Sequence, residues 1–123
     1  MKAYVSRFIW LLLILSCVSL FGCSGSGDYD HKPAVGFGTL IVDNLTSDDI
    51  EVFVDSVQIL KVRDGHDEFY DLAPGTYRIV LAEDGGSQSY IDEIDVLEGR
   101  QTILEVSPSF GDSYDVSVRI VEP

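Results

Sequence analysis

Few residues in this chain have the type and spacing to do chemistry, and the first of them is a cysteine. Cys23 closes a stretch ordered like a secretory leader: Lys2 and Arg7 with no acid, the uncharged run Phe8–Leu15, then Ser16-Cys17, a resumed apolar stretch Val18–Phe21, and the small Gly22. The next group is acidic, with clusters at Asp28/Asp30, Asp48/Asp49/Glu51, Asp64/Asp67/Glu68 and Asp92/Glu93/Asp95. Calcium takes roughly 6–8 oxygen ligands from loops, which makes Asp48, Asp49, Asp64, Asp67 and Glu68 the candidate Ca2+ ligands. None of these sets has the D-x-D-x-D-G spacing of an EF-hand. As solvated carboxylates they would instead keep a sheet protein soluble and its edges unattractive for pairing. His31 and His66 are the only histidines, and neither has a second at metal-ligand spacing. There is no Gly-x-Ser-x-Gly elbow. The expectation is a protein that is not an enzyme and holds no cofactor.

Leu20-Phe21-Gly22-Cys23 resembles the lipobox of bacterial lipoproteins, with an aliphatic residue at −3, a small one at −1 and the obligatory Cys at +1. Phe21 is bulkier than the usual residue at −2. Ile14-Leu15-Ser16-Cys17 is a competing match that would leave Val18–Phe21 as an apolar stub. The resemblance implies a signal peptide over 1–22, a diacylglyceryl thioether on Cys23, cleavage before it, and acylation of the new amino terminus. Ser24 at +2 is similar to the pattern of lipoproteins released to an outer membrane. Stable attachment takes two lipid signals, each buried methylene adding about 0.8 kcal/mol, and double acylation of one residue supplies both. With Cys17 lost in the leader and Cys23 lipidated, the domain keeps no thiol for a disulfide, a metal or catalysis.

Without Lys2 and Arg7 the basic residues fall from 8 to 6 against 21 acids, a formal charge of −15. Binding to nucleic acid needs Lys and Arg to displace counterions from phosphates, so that class of partner is excluded. The expected partners are the membrane, through lipid on Cys23, and an envelope protein.

The rest of the chain must position these residues. Residues 23–38 are small, polar and Gly-rich and read as a flexible tether. From residue 39 to 123, short β-rich runs alternate with turn residues, giving strands over Thr39–Asp43, Ile50–Val54, Val57–Val62, Asp67–Leu72, Thr76–Leu81, Ser89–Val96, Gln101–Val106 and Tyr114–Val121. The turns are marked by Asp64-Gly65, Ala73-Pro74-Gly75 with Gly75 supplying φ > 0, Asp84-Gly85-Gly86 and Glu98-Gly99. Asn44-Leu45-Thr46 matches a glycosylation sequon and is read as a turn. The spacing predicts an all-β domain, a small Ig-like or prealbumin-like antiparallel β-sandwich of about 7–8 strands. The expected core is Leu40, Val42, Val52, Val54, Ile59, Leu72, Tyr77, Ile79, Leu81, Ile94, Val96, Ile103 and Val106. Tyr77 should put its ring in that core and its hydroxyl on a backbone carbonyl.

Three stretches carry a second resemblance: Gly38-Thr-Leu-Ile-Val, Ile50-Glu-Val-Phe-Val-Asp55 and Leu72-Ala-Pro-Gly-Thr-Tyr77, with the hairpin at Val96-Leu-Glu-Gly99. Over roughly Gly38–Val106 the chain resembles PEGA-type and carboxypeptidase-regulatory-like envelope domains. It departs from them at Ser56, where the family has Gly after Asp55, and lacks their G-x-T-P turn. The resemblance implies a ligand-binding, scaffolding or cell-surface module. The function expected from the sequence is therefore a non-enzymatic, membrane-anchored envelope lipoprotein whose sandwich binds or spaces a protein. The alternative is a small-ligand or Ca2+-binding module using the acidic loops.

Overall fold

The structure, a computed structural model, describes residues 29–123. The leader over 1–22, Cys23 and Ser24 lie outside the described residues. The described chain forms β1 (Gly38–Asn44), β2 (Ile50–Val54), β3 (Val57–Val62), β4 (Asp67–Leu72), β5 (Gly75–Glu83), β6 (Ser89–Val96), β7 (Gln101–Ser107) and β8 (Asp115–Val121). They make two four-stranded sheets, ordered β4-β1-β7-β8 and β3-β2-β5-β6. The fold is an all-β sandwich. Its order departs from the immunoglobulin arrangement, in which the first strand pairs with the second, and follows the prealbumin-like alternative. One pairing is not antiparallel: β1 runs parallel to β7, Ile41 lying beside Ile103.

Local sequence explains most of the strands. In β2, Ile50, Val52 and Val54 are buried and Glu51 and Phe53 point outward, the period-2 alternation of a half-covered sheet. Gly65, Gly85 and Gly99 each have positive φ and turn the chain as expected. Gly75 does not adopt the left-handed conformation expected of it; it begins β5, paired with Val96. The Asp55-Ser56 turn reaches positive φ at both residues, 46° and 71°, without a glycine. That is the shape of a two-residue hairpin, and the Asp55 carboxylate steadies it by accepting from the Arg78 amide at 3.0 Å. Tyr77 meets its expectation, donating to the Ala73 carbonyl at 2.6 Å with its ring against the core.

The inter-sheet core contains Leu40, Val42, Ile50, Val52, Val54, Val62, Ile79, Leu81, Ile94, Leu104, Val106 and Tyr114, with Ile59, Leu72 and Tyr77 partly buried against it. Ile50, Val62, Leu104 and Tyr114 are additions to the expected set. Ile103 is a correction. Cross-strand partners share a face, so its pairing with Ile41 and Arg119 puts it on the outer face of the β4-β1-β7-β8 sheet. Ile41 and Ile103 are nevertheless only 1% and 2% exposed. Something covers the outer face of this sheet.

Candidate functional site

The cover is the segment expected to be a free tether. Residues 29–37 lie across the outer face of β4-β1-β7-β8 and make side-chain bonds to three of its strands. On β1, the Tyr29 hydroxyl donates to the Asp43 carboxylate at 2.6 Å. Burial, and then that neighbouring carboxylate, push the Tyr29 phenol well above its usual range. On β7, the Gln101 amide donates to the Tyr29 carbonyl at 3.1 Å and also to the His31 carbonyl. On β4, Asp71 takes the largest share. Its carboxylate meets His31 Nε2 at 2.8 Å, the Ala34 amide at 3.1 Å and the Thr39 hydroxyl of β1 at 2.6 Å. Partial burial works to raise the Asp71 pKa, but the bonds from Thr39, His31 and Ala34 together outweigh it and hold the carboxyl below its ordinary range.

The strap then turns at Ala34-Val35-Gly36-Phe37, the Phe37 amide donating to the Ala34 carbonyl at 2.9 Å with Gly36 at φ +86°. Positive φ at the third residue makes this a type II turn. It leads into Gly38, where a Cβ would collide with the Leu97 carbonyl and Val96. The glycine that opens the G-x-L-x-V strand is there because β1 passes tightly under the β6–β7 turn. Between the strap and β8 lies a cleft of about 280 Å3, walled by Tyr29, Lys32, Gln101, Ile103, Arg119 and Val121. Asp30 and Glu122 also line it, so its two cations are matched by two carboxylates over an apolar floor of Ile103 and Val121.

The second candidate is the far end of the sandwich, where the β1–β2, β3–β4, β5–β6 and β7–β8 loops meet. A buried Asn44 wires it. The Asn44 amide nitrogen donates to the Asp48, Val62 and Arg63 carbonyls at 2.7, 3.1 and 3.2 Å, and its oxygen accepts from the Thr46 amide and hydroxyl at 3.0 and 2.6 Å. The sequon is thus a turn, held from within. Asp49 and Asp64 are brought together, the Asp64 amide donating to the Asp49 carboxylate at 3.1 Å. Partial burial and then Glu83, a neighbour that sequence reading did not single out, raise the Asp48 pKa. Asp67 and Glu68 are not gathered in. They are successive residues of β4 on opposite faces, opposite Asp43 and Val42. Among the described residues no group of three or more His, Cys, Asp or Glu is arranged to hold a metal. Tyr114 reaches this end from the core, 5% exposed, with its phenol pushed up to about 12 by burial and then by Glu83 and Asp48. His31 and His66 sit in different places, on the strap and in the β3–β4 loop.

Sequence reading missed the strap, although a signal for it was present. Leu40-Ile41-Val42 and Ile103-Leu104 are continuous apolar runs in the two central strands, and such runs mark strands covered on both faces.

No family model matches this chain, and no curated protein matches it. Among solved structures it is similar to the N-terminal domain of AlgF from P. aeruginosa, with a TM-score of 0.50 and 19% identity over 77% of this chain and 100% of that one. At that identity the likeness is one of fold.

Proposed function

We propose that this chain is a non-enzymatic envelope lipoprotein, anchored through lipid on Cys23, whose PEGA-like β-sandwich binds or spaces a protein partner in the bacterial envelope. The observation that carries the reading is the strap. If Cys23 is the lipidated residue, only six residue steps separate it from Tyr29, which is bonded to Asp43 and Gln101. A module meant to be held at a set height gains from such a clamp, because a short leash holds the domain close to the membrane where a long flexible one would let it wander. His31 is engaged in fastening the strap to Asp71. Ser24 at +2 favours an outer membrane as the proposed site of action where the cell has one.

The test is metabolic labelling with a clickable fatty acid in a bacterial host expressing the full chain. The wild type should take up label and fractionate with membranes, and Cys23→Ser should take up no label. An unlabelled wild type, or a Cys23→Ser chain that still takes up label, would sink the proposal. Crosslinking in envelopes then identifies the partner.

A further inference from the structure

We infer that the far end of the sandwich is the partner-docking surface, where Asp48, Glu83 and the Tyr114 hydroxyl form a seat for a lysine ammonium carried by a basic protein segment. The inference rests on the reading of this chain as a partner-binding module and deepens it.

Bonds between the loops build the seat. The Asp84 amide donates to the Asp49 carbonyl at 2.9 Å, which sets Asp48-Asp49 of the β1–β2 loop against Glu83-Asp84 at the end of β5. The Asp48 and Glu83 carboxyl groups come within hydrogen-bonding reach of one another. Glu83 is fixed there by the Gln88 amide, which donates to its Oε2 at 3.0 Å. Both acids are half-buried, so solvent screens their repulsion only in part. Among the described residues neither has a cationic partner, whereas the neighbouring Asp84 is paired with Lys61 at 2.6 Å.

A second feature, independent of the acids, points into the same spot. Tyr114 is 5% exposed, and its hydroxyl has no hydrogen-bond partner among the described residues. Buried hydroxyls are seldom left so. The Tyr114 amide donates to the Ser89 carbonyl at 3.1 Å, which holds the residue beside the β5–β6 turn, and Glu83 and Asp48 are the charges that bear on its phenol. An ammonium brings three donors and no acceptor. Two carboxylates and one hydroxyl oxygen match that count. Calcium wants about 6–8 oxygens, and the described residues hold no metal-binding group of acids.

The rim supplies the rest of a protein contact. Leu45 lies between Asn44 and Thr46, whose side chains bond the Asp48 carbonyl at 2.7 and 3.1 Å. Phe110 lies between Ser109 and Gly111, whose carbonyls both accept from the Gln88 side chain at 3.1 Å. Both apolar side chains are exposed, so one flanks each carboxylate. A lysine stem can lie along such a ledge while its head reaches the acids. Asp49, Asp64 and Asp112 surround the seat, and their field draws in a basic segment and repels an acidic one.

The test takes the lipidated full chain in detergent and measures binding of fluorescein-labelled hexalysine by anisotropy. Asp48→Asn/Glu83→Gln should weaken binding about tenfold, because both charged acceptors are gone. Glu93→Gln/Asp95→Asn removes the same charge from exposed positions of β6 and should weaken it less than about twofold. Tyr114→Phe keeps the ring in the core and should weaken binding about threefold with no loss of melting temperature. Equal losses in the two acidic pairs, or a Tyr114→Phe chain that binds as well as wild type, would overturn the seat. A benzophenone amino acid placed at Phe110, or at Val35 on the strap turn, then reports contacts in the native envelope. Phe110 should crosslink to a lysine-bearing peptide, and Asp48→Asn/Glu83→Gln should abolish that adduct. Crosslinks from Val35 alone would overturn the docking end and leave the scaffold reading standing. Crosslinks from neither position would overturn both.

Discussion

The imidazole of His31 lies flat on the ring of Phe69, their centroids 3.6 Å apart and the planes 16° from parallel, while its Nε2 meets the carboxylate of Asp71 at 2.8 Å. Phe69 and Asp71 are alternate residues of β4, so both point to the outer face and grip one side chain from below and beside. Three donors, from His31, Ala34 and Thr39, converge on that single carboxylate.

Removing the acceptor should free the strap without unfolding the sandwich. Asp71→Ala leaves the Thr39 hydroxyl short of a partner and should cost about 1–3 kcal/mol. Amide exchange over residues 29–37 should speed up markedly more than exchange in β2 or β5. Uniform acceleration through both sheets would show that the strap is no separate unit. Asp71 also fixes a pH dependence. Its folded pKa is depressed, so its contribution is complete above the unfolded value near 4 and is lost as pH falls through the lower folded value. In the wild type, strap protection should weaken under acid before the core melts.

Asn44 is the most costly polar residue to remove. It is fully buried, and its side chain takes part in five hydrogen bonds spanning the β1–β2 and β3–β4 connections. Asn44→Ala strands several buried carbonyl and amide groups and should destabilise by about 3–5 kcal/mol. Chemical denaturation measures it. A loss below about 1 kcal/mol would mean that these loops are held by something else.

Asp48 predicts the opposite sign from Asp71. Its folded pKa is raised, by partial burial and then by Glu83, so its contribution is full below the unfolded value near 4 and disappears as pH rises through the folded value. Asp48→Asn should therefore melt higher than wild type at pH 7 and lose that advantage near pH 3.5. A melting advantage independent of pH would assign the effect to something other than charge.

Calcium should do little. Asp49 and Asp64 are tied to each other through a backbone amide, and Asp67 and Glu68 point to opposite faces, which leaves too few converging oxygens for a Ca2+ shell. The melting shift in Ca2+ should match that in Mg2+ at equal concentration. A much larger response to Ca2+ would revive the acidic loops as a ligand site.

The elements were legible wherever the determinant is local. Gly65, Gly85 and Gly99 announce their turns, and the alternation in β2 gives its buried face directly. The turn forms without a glycine at Ser56, with Asp55 pinned from outside it by the Arg78 amide. The strap was not legible, for a physical reason. Its composition is that of a flexible chain, and what holds it is the lateral spacing of Asp43, Asp71 and Gln101 on three strands that become neighbours only once the topology is known. The same gap misassigned Ile103. A parity argument assumes one wet face, and this sheet has none at its centre.

The parallel seam between β1 and β7 imposes an order of events. Gln101, the clasp for the strap, lies 72 residues after Tyr29, and β1 cannot seat beside β7 until that strand exists. Closing so long a loop is slow. A chain lacking residues 101–123 should show no amide protection at 29–37, and protection there would refute this order. For a chain delivered amino end first, the earliest segment to arrive is the last to fasten. The strap stays open to other contacts until β7 has been made, and the completed sandwich then shuts that window.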